Sequence, residues 1–237
     1  MSGSFGKAFN RLTQAAGELV NIGDKTQYPS RTVELINQID QMKTWLNKLI
    51  TATEQYVDIT VATKMVETFQ KNKEKTTTSD RLGAVMEEVA TQSKECAPKL
   101  SQMLLNASDV QKGLATAKKN FNTEINTTYI DDLKSFLNNE VKEAQKAKSR
   151  LEEARLDLDS NKNRLKNTKS AEQKAKLEAE MRKDEAEFDK VHKEAVAIFE
   201  ETCRKFDEQN VQLTDLVRAQ KNFFDACSRA CAEMVGA

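Results

Sequence analysis

The 237-residue chain is poor in the two residues that interrupt helices. It has seven glycines and two prolines, where average usage would give roughly 28 of the two together. The prolines are Pro29 and Pro98, so Lys99 to Ala237 contains none, and the glycines of that span are Gly113 and Gly236. A chain without its breakers has few places to turn, and long helices follow. One histidine is present, His192, which reads as a satisfied or solvent-facing helical residue. Four cysteines include Cys227 and Cys231, four apart on one helical face, with Cys203 upstream. Lacking a second ligand pair at matching spacing, they read as packing residues and leave no metal site. Gly-rich phosphate loops, nucleophile elbows and zinc-protease helices are all missing. The many carboxylates stand beside lysines at surface-pairing spacings. The sequence therefore offers no enzyme, no cofactor and no small-molecule substrate.

Net charge is lacking too, because 37 basic and 37 acidic residues cancel. There is no global field to draw in nucleic acid, so any electrostatic function has to come from local segregation of charge. No apolar run approaches the roughly 18 residues of a membrane span, and no secretory h-region opens the chain. Few cysteines without such a leader fit a reduced, cytoplasmic setting. The chain begins Met1-Ser2, so the usual myristoylation signal is missing as well. Membrane contact, if made, would be peripheral and on the cytosolic face.

What is present is amphipathic periodicity. In residues 1–24, Phe5, Phe9, Leu12, Ala16, Leu19 and Val20 share one helical face, with Lys7, Arg11, Gln14 and Glu18 opposite. Gly3, Gly6 and Gly17 weaken that helix in water by about 1 kcal/mol each, which suits folding on contact with an interface. The plain alternative is a frayed or core-docked terminus. After Pro29, with Ser30 as the expected cap, apolar residues at Val33, Ile36, Ile39, Met42, Leu46, Leu49 and Thr53 predict a helix of about 25 residues. Trp45 belongs with Leu46 on its apolar side. Residues 58–80 differ: Ile59, Ala62, Met65, Val66 and Phe69 form a short apolar face among Lys64, Lys71, Lys73 and Lys75, ended by a threonine run. This is either a surface loop with a stray helical turn or a second membrane-facing element.

From Arg81 the helical pattern resumes, with Pro98 as a kink or break, and runs to about Thr168. Ala144, Leu151, Leu158 and Leu165 occupy one heptad position, and Ala147, Ala154, Asn161 and Thr168 its partner position. The seam is thin, and its alanines let a neighbouring helix come close. The pattern restarts at Leu177 and continues through Met181, Phe188, Val191, Ala195, Ile198, Thr202, Phe206, Leu213, Leu216, Phe223 and Cys227, predicting one further helix of about 60 residues. NTKSAEQ (167–173) is the reversal between the two. A helix over residues 105–167 is on the order of 90 Å long, against a diameter of about 45 Å for a compact ball of this chain. The expectation is an elongated, all-α, antiparallel three-helix coiled coil whose half-covered stripes need a partner chain.

Residues 161–176 carry Lys162, Arg164, Lys166, Lys169, Lys174 and Lys176 against one acid, Glu172. A solvated helix end is one reading. Attraction to anionic lipid is the other, at about 1 kcal/mol per basic residue near the surface before screening. Without aromatic residues for stacking, nucleic acid is the weaker partner.

The run 120–167 resembles the second long helix of endophilin-type BAR domains. The resemblance rests on Asn120-Phe121, Tyr129-Ile130, Leu133 to Leu137, and Arg155-Leu156-Asp157-Leu158-Asp159 followed by Lys162 and Arg164. The RLDLDSNKNRLK wording is nearer the endophilin-B branch. EFDK (187–190) and LVRAQKNFF (216–224) extend the resemblance, which is faint before residue 80. It implies a crescent-shaped homodimer, with heterodimers of related BAR proteins as a variant. Such a dimer senses or induces membrane curvature in endocytosis or vesicle and organelle trafficking, by electrostatic scaffolding plus insertion of an amphipathic helix. Residues 1–24 would be the N-terminal amphipathic segment and 25–237 the BAR domain, with 58–80 as helix-1 insert and 161–176 as basic distal tip. Phe5, Phe9, Leu12, Met65 and Phe69 would enter the headgroup region. Lys7, Arg11, Lys64, Lys71, Lys73, Lys75 and the six tip cations would hold anionic phospholipid. Full-length endophilins also carry a C-terminal Src-homology module, and this chain ends at Ala237, as a truncated form or a BAR-only relative would. The competing reading is a coiled-coil adaptor in cytoskeletal or trafficking complexes without direct lipid contact.

Overall fold

The structure, a computed structural model, describes residues 25–57 and 76–236. Both stretches expected to insert into membrane lie mostly outside them: residues 1–24, with Phe5, Lys7, Phe9, Arg11 and Leu12, and residues 58–75, with Lys64, Met65, Phe69, Lys71, Lys73 and Lys75. Among the described residues every regular element is helical. Helix α1 spans Ser30–Tyr56, α2 Thr78–Ser93, α3 Pro98–Ile125, α4 Asp131–Phe136, α5 Lys142–Asn167, α6 Ala171–Asp207 and α7 Asn210–Val235. Two π-helical turns, Asn126–Ile130 and Leu137–Val141, join α3 to α4 and α4 to α5.

Those π turns answer a register problem. From Phe121 to Ala147 the buried positions step by three or four residues, except that Tyr129 and Ile130 are both buried, the latter five residues after Ile125, and that Phe136 to Val141 is a step of five. A step of five would rotate a regular α-helix well off its buried face. A π turn holds an extra residue and keeps both side chains on it. At the first turn, Thr127 and Thr128 donate their hydroxyls back to carbonyls of the preceding turn, including Glu124 at 2.8 Å from Thr128.

The described residues fall into two compact units. The first consists of residues 25–46 and 136–208. Its core is Leu35, Ile39, Met42 and Leu46 of α1, Val141, Ala144, Ala147, Leu151 and Leu158 of the second π turn and α5, and Leu177, Phe188, Ala195 and Phe199 of α6. Full burial of a Leu or Phe contributes about 1.5–3 kcal/mol. The heptad expectation holds at Ala144, Ala147, Leu151 and Leu158. The expected α1 stripe holds at Ile39, Met42 and Leu46 and shifts by one position at its ends. Thr32 and Leu35 are buried, whereas Val33 and Leu49 point outward. Thr32 can be buried because its hydroxyl pairs with His192 Nε2 at 2.8 Å, which also gives that histidine its partner. Ser30 is the first helical residue and not the cap, since the Val33 amide already donates to the Pro29 carbonyl at 3.2 Å. Trp45 stacks on Phe206 with ring centroids 6.1 Å apart, a packing role as expected.

The second unit holds residues 47–57, 76–135 and 209–236. Helix α2 opens on a capping box: Asp80 N–H donates to Thr77 Oγ1 at 3.0 Å, and Thr77 N–H to Asp80 Oδ2 at 2.7 Å. The Thr77 backbone bond, with Lys119 nearby, holds the Asp80 carboxyl below its ordinary value. Helices α2 and α3 meet through small residues. Ser101, Ser108 and Ala115, seven apart, are buried, and Ser108 Oγ donates to the Gly83 carbonyl at 2.9 Å and Ser101 Oγ to that of Ala90 at 2.7 Å. A Cβ on Gly83 would stand 3.2 Å from Gln111 Cβ and 3.3 Å from the Ser108 carbonyl, so the close approach depends on glycine.

A further expectation fails. The single helix drawn from Leu177 to Cys227 is two, α6 and α7, separated at Glu208 and Gln209. These residues have ψ near zero, −11° and −2°, and the Glu208 amide reaches both the Arg204 and Phe206 carbonyls. Asp207 to Asn210 is a run of four polar residues in the sequence, and Asp and Asn are weak helix formers. The apolar period continuing on either side concealed the break.

Candidate functional site: the basic end of the α5–α6 hairpin

Helices α5 and α6 reverse through Thr168, Lys169 and Ser170, inside the expected 167–173. Thr168 ends α5 in an extended conformation, and Ser170 caps α6, its hydroxyl accepting from the Gln173 amide at 3.5 Å. Two polar links close the hairpin behind this turn. Asn161 Nδ2 donates to Asp184 Oδ2 at 2.6 Å, and Arg164 Nη1 lies 3.9 Å from Glu180 Oε2. Arg164 and Lys166 sit in the last turn of α5, where cations complement the helix dipole.

The six expected tip cations are brought to this end but are not equivalent. Lys169, Lys174 and Lys176 are exposed and make no ion pair among the described residues. Arg164 is partly engaged by Glu180 and by Asn161 Oδ1 at 3.0 Å. Lys162 is turned to internal work, donating to Thr26 Oγ1 at 3.0 Å.

That bond belongs to a network the sequence did not reveal. Residues 25–29 lie as a strap ahead of α1. The Thr26 amide donates to both oxygens of Asp159, at 3.2 and 3.0 Å, and the Thr26 hydroxyl donates to Asp159 Oδ1. Asp159 and Arg155 are both fully buried and pair at 2.8 Å. Arg155 also holds Glu152, through Nε at 3.1 Å and Nη2 at 2.5 Å, and Glu152 in turn accepts from the Tyr28 hydroxyl at 2.8 Å. The Tyr28 ring stacks on Phe188 at 6.3 Å. The Arg155 guanidinium keeps the Glu152 carboxyl below the usual carboxylate range. Burial, reinforced by the Glu152 carboxylate, pushes the Tyr28 phenol well above the usual tyrosine value. Arg155, Asp159 and Lys162 were quoted for their place in a motif. What hid the network is that its partners Thr26 and Tyr28 lie more than 120 residues away.

Residues 5–236 match the BAR domain family, and the chain belongs to it. It is 61% identical over 230 residues to the hydatid disease diagnostic antigen P-29 of Echinococcus granulosus, covering 97% of each chain. Endophilin-B2 of Homo sapiens is 25% identical over 168 residues, 69% of this chain and 42% of that protein. Endophilin-B1 of Rattus norvegicus is 23% identical over 229 residues, 94% of this chain and 62% of that protein. The chain thus spans less than two thirds of the endophilins it matches. The likeness to the endophilin-B branch is borne out, and BAR membership brings a membrane-curvature-related function. Among the described residues no helix is long and apolar enough to cross a membrane.

Proposed function

We propose that the chain is a peripheral membrane protein that acts as a homodimer and binds anionic bilayers through the basic end of its α5–α6 hairpin. Residues 1–24 and 58–75 would supply apolar wedges, and the dimer would sense or impose curvature in membrane trafficking on the cytosolic face. The observation that carries this reading is the set of three exposed lysines, Lys169, Lys174 and Lys176, that make no ion pair among the described residues and stand at a tight helical reversal. Such a cluster repels itself and makes no stabilising ion pair among the described residues, whereas each cation gains about 1 kcal/mol beside an anionic leaflet.

Dimerisation rests on the second unit. Among the described residues, thirteen of the fifteen exposed large apolar side chains lie there, all but Val33 and Trp45. They form stripes, Leu82, Val85 and Val89 on α2 and Leu213, Val217 and Phe224 on α7. Each stripe recurs at helical spacing, and a second copy of the chain would cover it. In sedimentation equilibrium the protein is expected at twice its chain mass, and Val85→Glu with Val217→Glu at the chain mass. The same dimer should co-sediment with small phosphatidylserine vesicles at low salt and be released at high salt. Equal binding to neutral vesicles would contradict the electrostatic reading, and binding to neither would favour a coiled-coil adaptor.

A further inference from the structure

We infer that Thr26 and Asp159 form a latch that fixes where the N-terminal segment leaves the folded unit, beside the basic end of the hairpin. The inference rests on the proposed membrane function and adds a positioning role for residues that touch no lipid.

The latch is anchored more firmly than a surface strap needs. Asp159 is fully buried, and its carboxylate is held by Arg155 from within its own helix and by the Thr26 amide and hydroxyl from the strap. A buried carboxylate needs donors, so losing Thr26 leaves part of a charge unsolvated. Lys162 closes the arrangement from the tip side by donating to the Thr26 hydroxyl. One hydroxyl therefore links a buried acid to the first cation of the basic run. A second fastening two residues on, Tyr28 against Glu152 and Phe188, prevents the strap from pivoting about Thr26.

The placement has a geometric consequence. Asp159 is eight residues from the end of α5, about 12 Å along the axis. The strap therefore meets α5 about 12 Å along its axis from the end that carries the turn with Lys169. With both the Thr26 and the Tyr28 fastenings released, the first firm anchor becomes α1, where Thr32 meets His192. The anchor then lies six residues further along the chain, at Thr32 in place of Thr26. Effective concentration falls as roughly the −3/2 power of tether length, so the apolar wedge would meet the tip's bilayer patch about twofold less often.

Trypsin reads the latch directly, because its cleavage site after Lys25 is the bond to the Thr26 nitrogen that Asp159 holds. Hydrogen bonds to charged groups are the stronger kind, so Thr26→Val in the full chain is expected to raise cleavage at Lys25 about tenfold or more. Adding Tyr28→Phe should raise it further, with far-ultraviolet circular dichroism unchanged. On phosphatidylserine vesicles, Thr26→Val combined with Tyr28→Phe should lower partitioning about twofold. That loss should vanish in a full-length background carrying Phe5→Ala, Phe9→Ala and Leu12→Ala, where no wedge remains to be positioned. Wild-type cleavage rates in both variants would overturn the latch. An equal partitioning loss in the blunted background would overturn its role in positioning the segment. A wild-type chain that ignores vesicles altogether, with Lys25 still protected, would instead count against the membrane function and against the positioning role built on it.

Discussion

Replacing Arg155 by alanine is expected to destabilise the protein by about 3–5 kcal/mol, the range found when one partner of a buried ion pair is removed. Arg155 is fully buried, and its guanidinium spans two carboxylates, Asp159 through Nη1 and Glu152 through Nε and Nη2. Without it, the buried Asp159 carboxylate is left, among the described residues, with the Thr26 donors. Arg155→Lys should fall between, because an ammonium on a flexible stem cannot reproduce a planar fork that serves two acids at once. Arg155→Met with Asp159→Leu should recover most of the loss, since apolar side chains can replace a buried pair without desolvation cost. Urea unfolding at one fixed protein concentration measures all three, the fixed concentration being needed because a dimer's stability depends on it. A loss below about 1 kcal/mol for Arg155→Ala would show that water reaches the pair.

Reversing Lys169, Lys174 and Lys176 to glutamate is expected to reduce affinity for phosphatidylserine vesicles by at least about a hundredfold at low salt, with the unfolding midpoint unchanged. Three cations at about 1 kcal/mol each amount to roughly two decades in the binding constant for each hairpin. Reversal adds repulsion to the lost attraction. Stability should hold because the three side chains are exposed and contribute to no ion pair among the described residues. Lys162→Glu is the contrasting variant. It would set a new carboxylate beside Thr26 and Asp159, so it should lower stability and binding together. A triple variant that binds as well as the wild type would remove the hairpin end from the mechanism.

The hairpin was legible in the sequence because it follows from local rules. Absent breakers predict long helices, Ala144, Leu151 and Leu158 mark a seven-residue seam, and a short polar run without apolar anchors marks the turn. The cation cluster is local too and could be counted directly. Features that depend on distant partners were not legible. Nothing near Asp159 announces that Thr26 will bury it, and the spacing of α1 cannot show that His192 makes Thr32 a buried residue. The π turns and the interruption at Glu208 and Gln209 were hidden for another reason. Each changes the helical phase by a residue or so, which a pattern read with three-four tolerance absorbs without notice. The small-residue seam of Ser101, Ser108 and Ala115 against Gly83 and Ala90 carries no hydrophobic signal at all.

The most direct test of the account is a lysine-reactivity footprint of the full-length protein on and off vesicles, read residue by residue after acylation with a water-soluble ester. Phosphatidylserine vesicles should protect Lys169, Lys174 and Lys176 severalfold, neutral vesicles should not, and the exposed Lys94 and Lys99 of the second unit should react equally in both. Uniform reactivity of the three hairpin lysines with and without anionic lipid, while the protein is vesicle-bound, would contradict it.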